Sequence, residues 1–168
     1  IRGRLDPSDT VVQPLDNGDN TAFYITGSIQ PSNGIRIENL TIEGFTTFST
    51  PNDRYGCAIQ VGISPSQTLG NHVYVQDVII RNCSAYGSNY QICKWGRYTN
   101  CVFEDCYTEN DYLVTASNPV NTDVEVEHIT NCTFLRCDAF HLIGGTKRFS
   151  GCEFIECSLR RSIFPDYK

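Results

Sequence analysis

Six of the nine cysteines fall into three Cys-x4-Cys pairs, Cys101/Cys106, Cys132/Cys137 and Cys152/Cys157. Thiols at a fixed spacing can bind metal or cross-link, although structural zinc sites favour closer Cys-x2-Cys pairs in a closed ligand set. Carboxyl groups offer a second chemistry. Hydrolysis of a glycosidic bond uses two of them, about 5 to 9.5 Å apart. Glu104, Asp105, Glu109, Asp111 and Asp138 are available, with Asp111 and Asp138 the expected catalytic pair. β-Elimination needs instead a cation to hold a carboxylate and a base to take a proton, roles open to Lys94, Arg97, Tyr112 and His141. Aromatic rings stack on sugar faces and Lys or Arg meets acid groups. Arg54, Tyr55, Tyr90, Lys94, Trp95, Arg97, Tyr112 and His141 are therefore the candidate sugar contacts, and no metal or cofactor is expected.

These side chains act together only if something aligns them, and a repeat does so. Five segments match without gaps: IENLTIEGF at 37–45, VQDVIIRNC at 75–83, YTNCVFEDC at 98–106, ITNCTFLRC at 129–137 and FSGCEFIEC at 149–157. The third column reads Asn39, Asp77, Asn100, Asn131 and Gly151, residue types that tolerate positive φ, so a sharp bend is predicted there. Around it the first column (Ile37, Val75, Tyr98, Ile129, Phe149), the fourth (Leu40, Val78, Cys101, Cys132, Cys152) and the sixth (Ile42, Ile80, Phe103, Phe134, Phe154) should point inward. A further strand per repeat is expected at 55–61, 90–95, 112–115, 141–143 and 162–164. Long insertions at 46–55, 62–72 and 116–125 would wall a groove. An earlier coil ends at 22–27, and residues 1–21, rich in turn signals, read as an irregular lead-in or cap to a single domain over 22–168.

The phrases IRIENLTIEG at 35–44 and VYVQDVIIRN at 73–82 resemble the coils of the pectate-lyase-like superfamily of right-handed parallel β-helices, which includes polysaccharide lyases, glycoside hydrolases and bacteriophage tail spikes. The resemblance spans residues 22–164 and implies an all-β, single-stranded solenoid of about six coils. It carries over no catalytic residue, because no active-site motif of the family matches by position. What it implies for function is a carbohydrate-recognising module of a phage tail spike or fibre, binding host surface polysaccharide, with depolymerisation by a hydrolase or lyase open. Two alternatives are a structural shaft or virion decoration without ligand, and a fragment of a polysaccharide lyase or glycoside hydrolase. Exposed coil ends favour a homotrimer or a larger chain as the setting.

The repeat also supplies bland explanations. Leu40, Phe45 and Val78 occupy the cysteine columns in the first two segments, so the thiols read as stacked core residues. Free thiols imply folding in a reducing cytoplasm, with a virion surface, tail or extracellular location afterwards. Of the sequons at Asn39, Asn82 and Asn131, two sit in the bend column and need no sugar to explain them. Asp105, Arg136 and Glu156 in the eighth column form an alternating charge ladder that holds register. A formal charge of −6 argues against a nucleic-acid partner, and no apolar run is long enough for membrane insertion. The chain starts at Ile1 and has no Met, so it is expected to be part of something longer.

Overall fold

The computed structural model of the chain describes residues 1, 7, 10–15, 21–25, 34–48, 56–61, 73–87, 90–115, 129–144 and 149–162, with backbone alone at Gly56, Cys57, Val61 and Ser162. Eighteen strands are numbered along these residues. In the first two repeats the flanks of the bend run on as single long strands, β3 (Ile35–Glu43) and β6 (Val73–Arg81). Thereafter the bend divides them into β9 (Arg97–Thr99) and β10 (Val102–Glu104), β13 (Ile129–Thr130) and β14 (Thr133–Leu135), and β16 (Phe149–Ser150) and β17 (Glu153–Ile155). With β1 (Val11–Val12) these make one nine-stranded sheet. The other sheet holds β2 (Phe23–Ile25), β4 (Thr46–Thr47), β5 (Gly56–Val61), β7 (Ser84–Ala85), β8 (Gln91–Lys94), β11 (Tyr107–Thr108), β12 (Tyr112–Thr115), β15 (Asp138–Gly144) and β18 (Ser158–Ser162). Among the described residues every pairing is parallel. The fold is all-β. β1 lies within the expected lead-in yet pairs with β3.

The sequence columns are the spatial register. Ile37, Val75, Tyr98, Ile129 and Phe149 lie side by side, as do Ile42, Ile80, Phe103, Phe134 and Phe154. All are buried except Phe149 and Phe154, which are half-buried in the last repeat. The alternation puts one apolar column inside for each polar one outside, which is what period-two patterning requires of a strand with one buried face.

Both halves of the bend prediction can be checked in the backbone. Asn39, Asp77, Asn100 and Asn131 have φ of 53 to 54° and Gly151 has 60°. The Asn100 amide donates across the column to Asp77 Oδ1 at 3.2 Å. At Gly151 a Cβ would meet Asn131 Oδ1, the movable end of that side chain, so backbone conformation more than space favours glycine here. Gly151→Ala should lower unfolding free energy by about 1 to 2 kcal/mol, the usual cost of left-handed backbone for a residue with Cβ. Urea denaturation measures it, and an unchanged midpoint would show that the bend relaxes freely.

A second bend falls in the eighth column, where the sequence showed only a charge ladder. Gly44, Asn82, Asp105, Arg136 and Glu156 all have positive φ, from 49 to 78°. Arg and Glu seldom adopt this conformation, so contacts must impose it. The Arg136 N–H donates to Ile155 O at 2.9 Å, in step with Asp105 N–H to Leu135 O at 3.0 Å. Its guanidinium grips both oxygens of Asp105 at 2.8 Å and Glu104 Oε1 at 2.6 Å, holding the Asp105 carboxyl below the usual carboxylate range. The ladder thus sits on the outer side of a corner.

Each bend residue is followed by an inward position, and there the cysteines stack. Cys101, Cys132 and Cys152 direct Sγ to the carbonyls of Val75, Tyr98 and Ile129 in the preceding repeat, at 3.5, 3.6 and 3.8 Å. Cys106, Cys137 and Cys157 do the same with Ile80, Phe103 and Phe134, at 3.5, 3.3 and 3.3 Å. The thiol fills a narrow column and gives a weak donor to a carbonyl that lies two residues ahead of a bend in the preceding repeat. The eight cysteines with described side chains are all thiols. Contact with the Cys101 thiol, together with burial, pushes Cys132 up to about 12, so it stays protonated and unreactive at neutral pH.

Candidate functional site

The second sheet delivers several of the candidate residues to one corner. β8 ends at Lys94, and Trp95 then turns the chain with φ of 57°, handing it through Gly96 to Arg97 at the start of β9. A bulky aromatic residue in this conformation costs on the order of 1 to 3 kcal/mol and persists only where surroundings enforce it. Two things enforce it here. The Trp95 N–H donates to Thr115 O in the next repeat at 2.7 Å, and its half-buried ring packs on the core. Lys94 Nζ lies 4.9 Å from the indole. On the other side, Arg97 reaches the ring of Tyr74, 5.5 Å from its centroid, and Arg36 lies 5.1 Å from the same ring. Arg36, Tyr74 and Arg97 are register partners on β3, β6 and β9.

Alongside, Asp111 anchors a buried polar group. Its side chain is only 9% exposed; Oδ1 accepts the Tyr112 N–H at 2.7 Å and Oδ2 accepts Gln91 Nε2 at 3.4 Å. Gln91 Oε1 in turn accepts the Thr115 hydroxyl at 2.5 Å. Thr108 donates to Asp111 O at 2.8 Å, fixing the turn between β11 and β12. Burial pushes the Asp111 carboxyl up, opposed by the Tyr112 N–H, Gln91 and the charges of Lys94 and His141. Tyr112 stacks on its register partner His141, ring centroids 5.2 Å apart. That ring occupies the space a Cβ at Gly144 would take, so glycine at the end of β15 is what admits it.

Lys94, Trp95 and Arg97 thus share the corner after β8, whereas Asp111, Tyr112 and His141 gather at the other end of β12, since Lys94 is level with Thr115 and Tyr112 with His141, an offset of about 10 Å along the strand direction. Tyr90 is 7% exposed and belongs to the core cluster, while His141 is equally buried beneath Tyr112 and Phe140. Arg54 and Tyr55 lie outside the described residues. Asp138 keeps different company: it is paired with Tyr107, half-exposed, with Arg160 Nη2 3.4 Å away. The His141 N–H meets Asp111 O at 3.4 Å, and His141 lies three residues beyond Asp138 on β15. Because Tyr112 is the register partner of His141, Asp111 falls level with Phe140, two residues beyond Asp138, an offset of about 7 Å along the strand direction. Among the described residues no set of three or more His, Cys, Asp or Glu is placed to hold a metal ion.

Sequence reasoning missed two sets of residues. Arg36 and Tyr74 stand one position before the first column, and reading that column beside Arg97 would have found them. Phe48, Tyr86 and Tyr107 form a ladder on the second sheet's outer side, with centroid spacings of 5.4 and 5.3 Å and Arg160 at 5.1 Å over Tyr107. Phe48 and Tyr86 stack nearly parallel, so their facing sides are spent on each other. Comparison of the chain with protein families, curated proteins and solved structures finds no match.

Proposed function

We propose that the chain is a right-handed parallel β-helix of about six coils, of the pectate-lyase-like kind, and that it serves as the polysaccharide-recognising module of a phage tail spike or fibre. Parallel pairing throughout the described residues, in repeat-by-repeat register, supports the solenoid, and parallel crossovers are right-handed in the great majority of folds. One observation carries the recognition reading: Trp95 is held in a costly left-handed conformation between Lys94 and Arg97, and strain of this kind concentrates at binding sites. A half-buried indole with Lys94 beside it offers an apolar face for a sugar and a partner for its polar groups.

The test is an array of bacterial capsular and lipopolysaccharide glycans, followed by size analysis of any bound polymer. Binding by the native chain, lost in Trp95→Ala at unchanged cooperative unfolding, is the expected result. Shortening of the polymer would add depolymerase activity. Absence of binding to every glycan would favour a second reading, a structural shaft. The outer ladders favour that reading, since Arg136 with Asp105 and Glu104, and Phe48 with Tyr86, spend their polar groups and ring faces on neighbouring repeats.

A further inference from the structure

We infer that the glycan bound at this corner is acidic, and that Arg36 and Arg97 receive its carboxylate or sulfate groups on either side of Tyr74. The inference rests on the polysaccharide reading and narrows it to a substrate class. Three strands in register place Arg36, Tyr74 and Arg97 in one outward row, with both guanidiniums against the same ring. Stacking orients a guanidinium and leaves its in-plane N–H groups free to make paired hydrogen bonds to a carboxylate or sulfate.

The two cations are unequally engaged. Arg36 meets Glu38 at 3.4 Å, an exposed pair of small energetic value. Arg97 makes no ion pair among the described residues, and its buried Nε has no hydrogen-bond partner there. Lys94 adds a third cation at the same corner, in a chain whose net charge is −6. Positive charge is therefore local here, and it complements a polyanion. Arg36 and Arg97 are two strand spacings apart, roughly 10 Å, a distance suited to successive acid groups along an extended polymer and too great for a single small anion. In the sequence the same column continues as His128 and Arg148, both outside the described residues.

The experiment titrates the full chain, by affinity electrophoresis and calorimetry, with polygalacturonate, its methyl-esterified form, dextran sulfate, neutral dextran and oligothymidylate. Binding to polygalacturonate or dextran sulfate should weaken with added salt, and at least tenfold on esterification of the former. Arg97→Gln and Arg36→Gln should each weaken it about tenfold, the loss expected for a charge-assisted contact. Arg36 is exposed, so its variant leaves folding intact and keeps the test valid if Arg97→Gln unfolds the chain. Equal binding of the esterified or neutral polymer would overturn the acid-group inference while leaving glycan recognition standing. Oligothymidylate bound as tightly as the acidic glycans would overturn it in favour of unselective polyanion binding. No binding to any polymer would remove both readings together.

Discussion

Phe134→Ala should lower the unfolding free energy by about 3 to 5 kcal/mol, the range for deleting a fully buried aromatic ring. Phe134 is 0% exposed and lies between Phe103 and Phe154, nearly parallel to both, at centroid distances of 4.9 and 5.1 Å. The strands carrying these rings are fixed by register, with Phe103 opposite Phe134 and Phe134 opposite Phe154. Neighbours held at strand spacing cannot collapse into the gap, so the cavity term is fully felt. Phe154 stacks on Phe134 from the last repeat and is only half-buried, so Phe154→Ala should cost about half as much. Guanidinium denaturation of both variants gives the comparison. Equal losses at the two positions would mean that the column does not act as a stack, and a loss below about 1 kcal/mol at Phe134 would mean that the interior repacks.

The same column shows why so much of this architecture could be read from residues alone. A strand with one buried face records burial in every second position, and stacking in register repeats the record five times. Ile42, Ile80, Phe103, Phe134 and Phe154 therefore align in the sequence as they do in space. The Asn, Asp and Gly of the first bend were equally legible, because their backbone preference is local. The second bend was not. Arg136 and Glu156 carry no left-handed preference; their conformation is imposed by hydrogen bonds to the neighbouring repeat, as from Arg136 N–H to Ile155 O, and such bonds leave no trace in residue type. Trp95 escaped for the same reason, and its left-handed turn is what joins Lys94 to Arg97 at one corner. The short strands β7 and β11 also went unread, being too brief to show a period. The candidate site was legible as a set of residue types, while its partition was not. Asp111 and Asp138 look alike in sequence, and only the folded chain buries one with Gln91 and leaves the other beside Arg160.

That burial gives Asp111 the second large effect. Its carboxyl is pushed up chiefly by desolvation, so the folded chain binds its proton more tightly than the unfolded chain does. The sign follows from linkage: the contribution to stability is complete below the unfolded value of 3.8 and is lost as pH rises through the higher folded value. Asp111→Asn should remove this loss, giving a flatter stability profile across the acid range and a more stable chain than wild type above it. Gln91→Leu should do the opposite. It takes a donor from Asp111 Oδ2 and the acceptor from the Thr115 hydroxyl, leaving two buried polar groups short of a partner. The expected cost is about 2 to 3 kcal/mol at neutral pH. Gln91 also opposes the upward push on Asp111, so the variant should lose stability more steeply with pH, and the loss should shrink in acid where the carboxyl is protonated. Urea midpoints between pH 3 and 8 for wild type, Asp111→Asn, Gln91→Leu and the double variant measure all of this. A Gln91→Leu penalty that is the same at every pH, or that survives unchanged in the Asp111→Asn background, would show that Gln91 acts by packing and that the Asp111 carboxyl is hydrated.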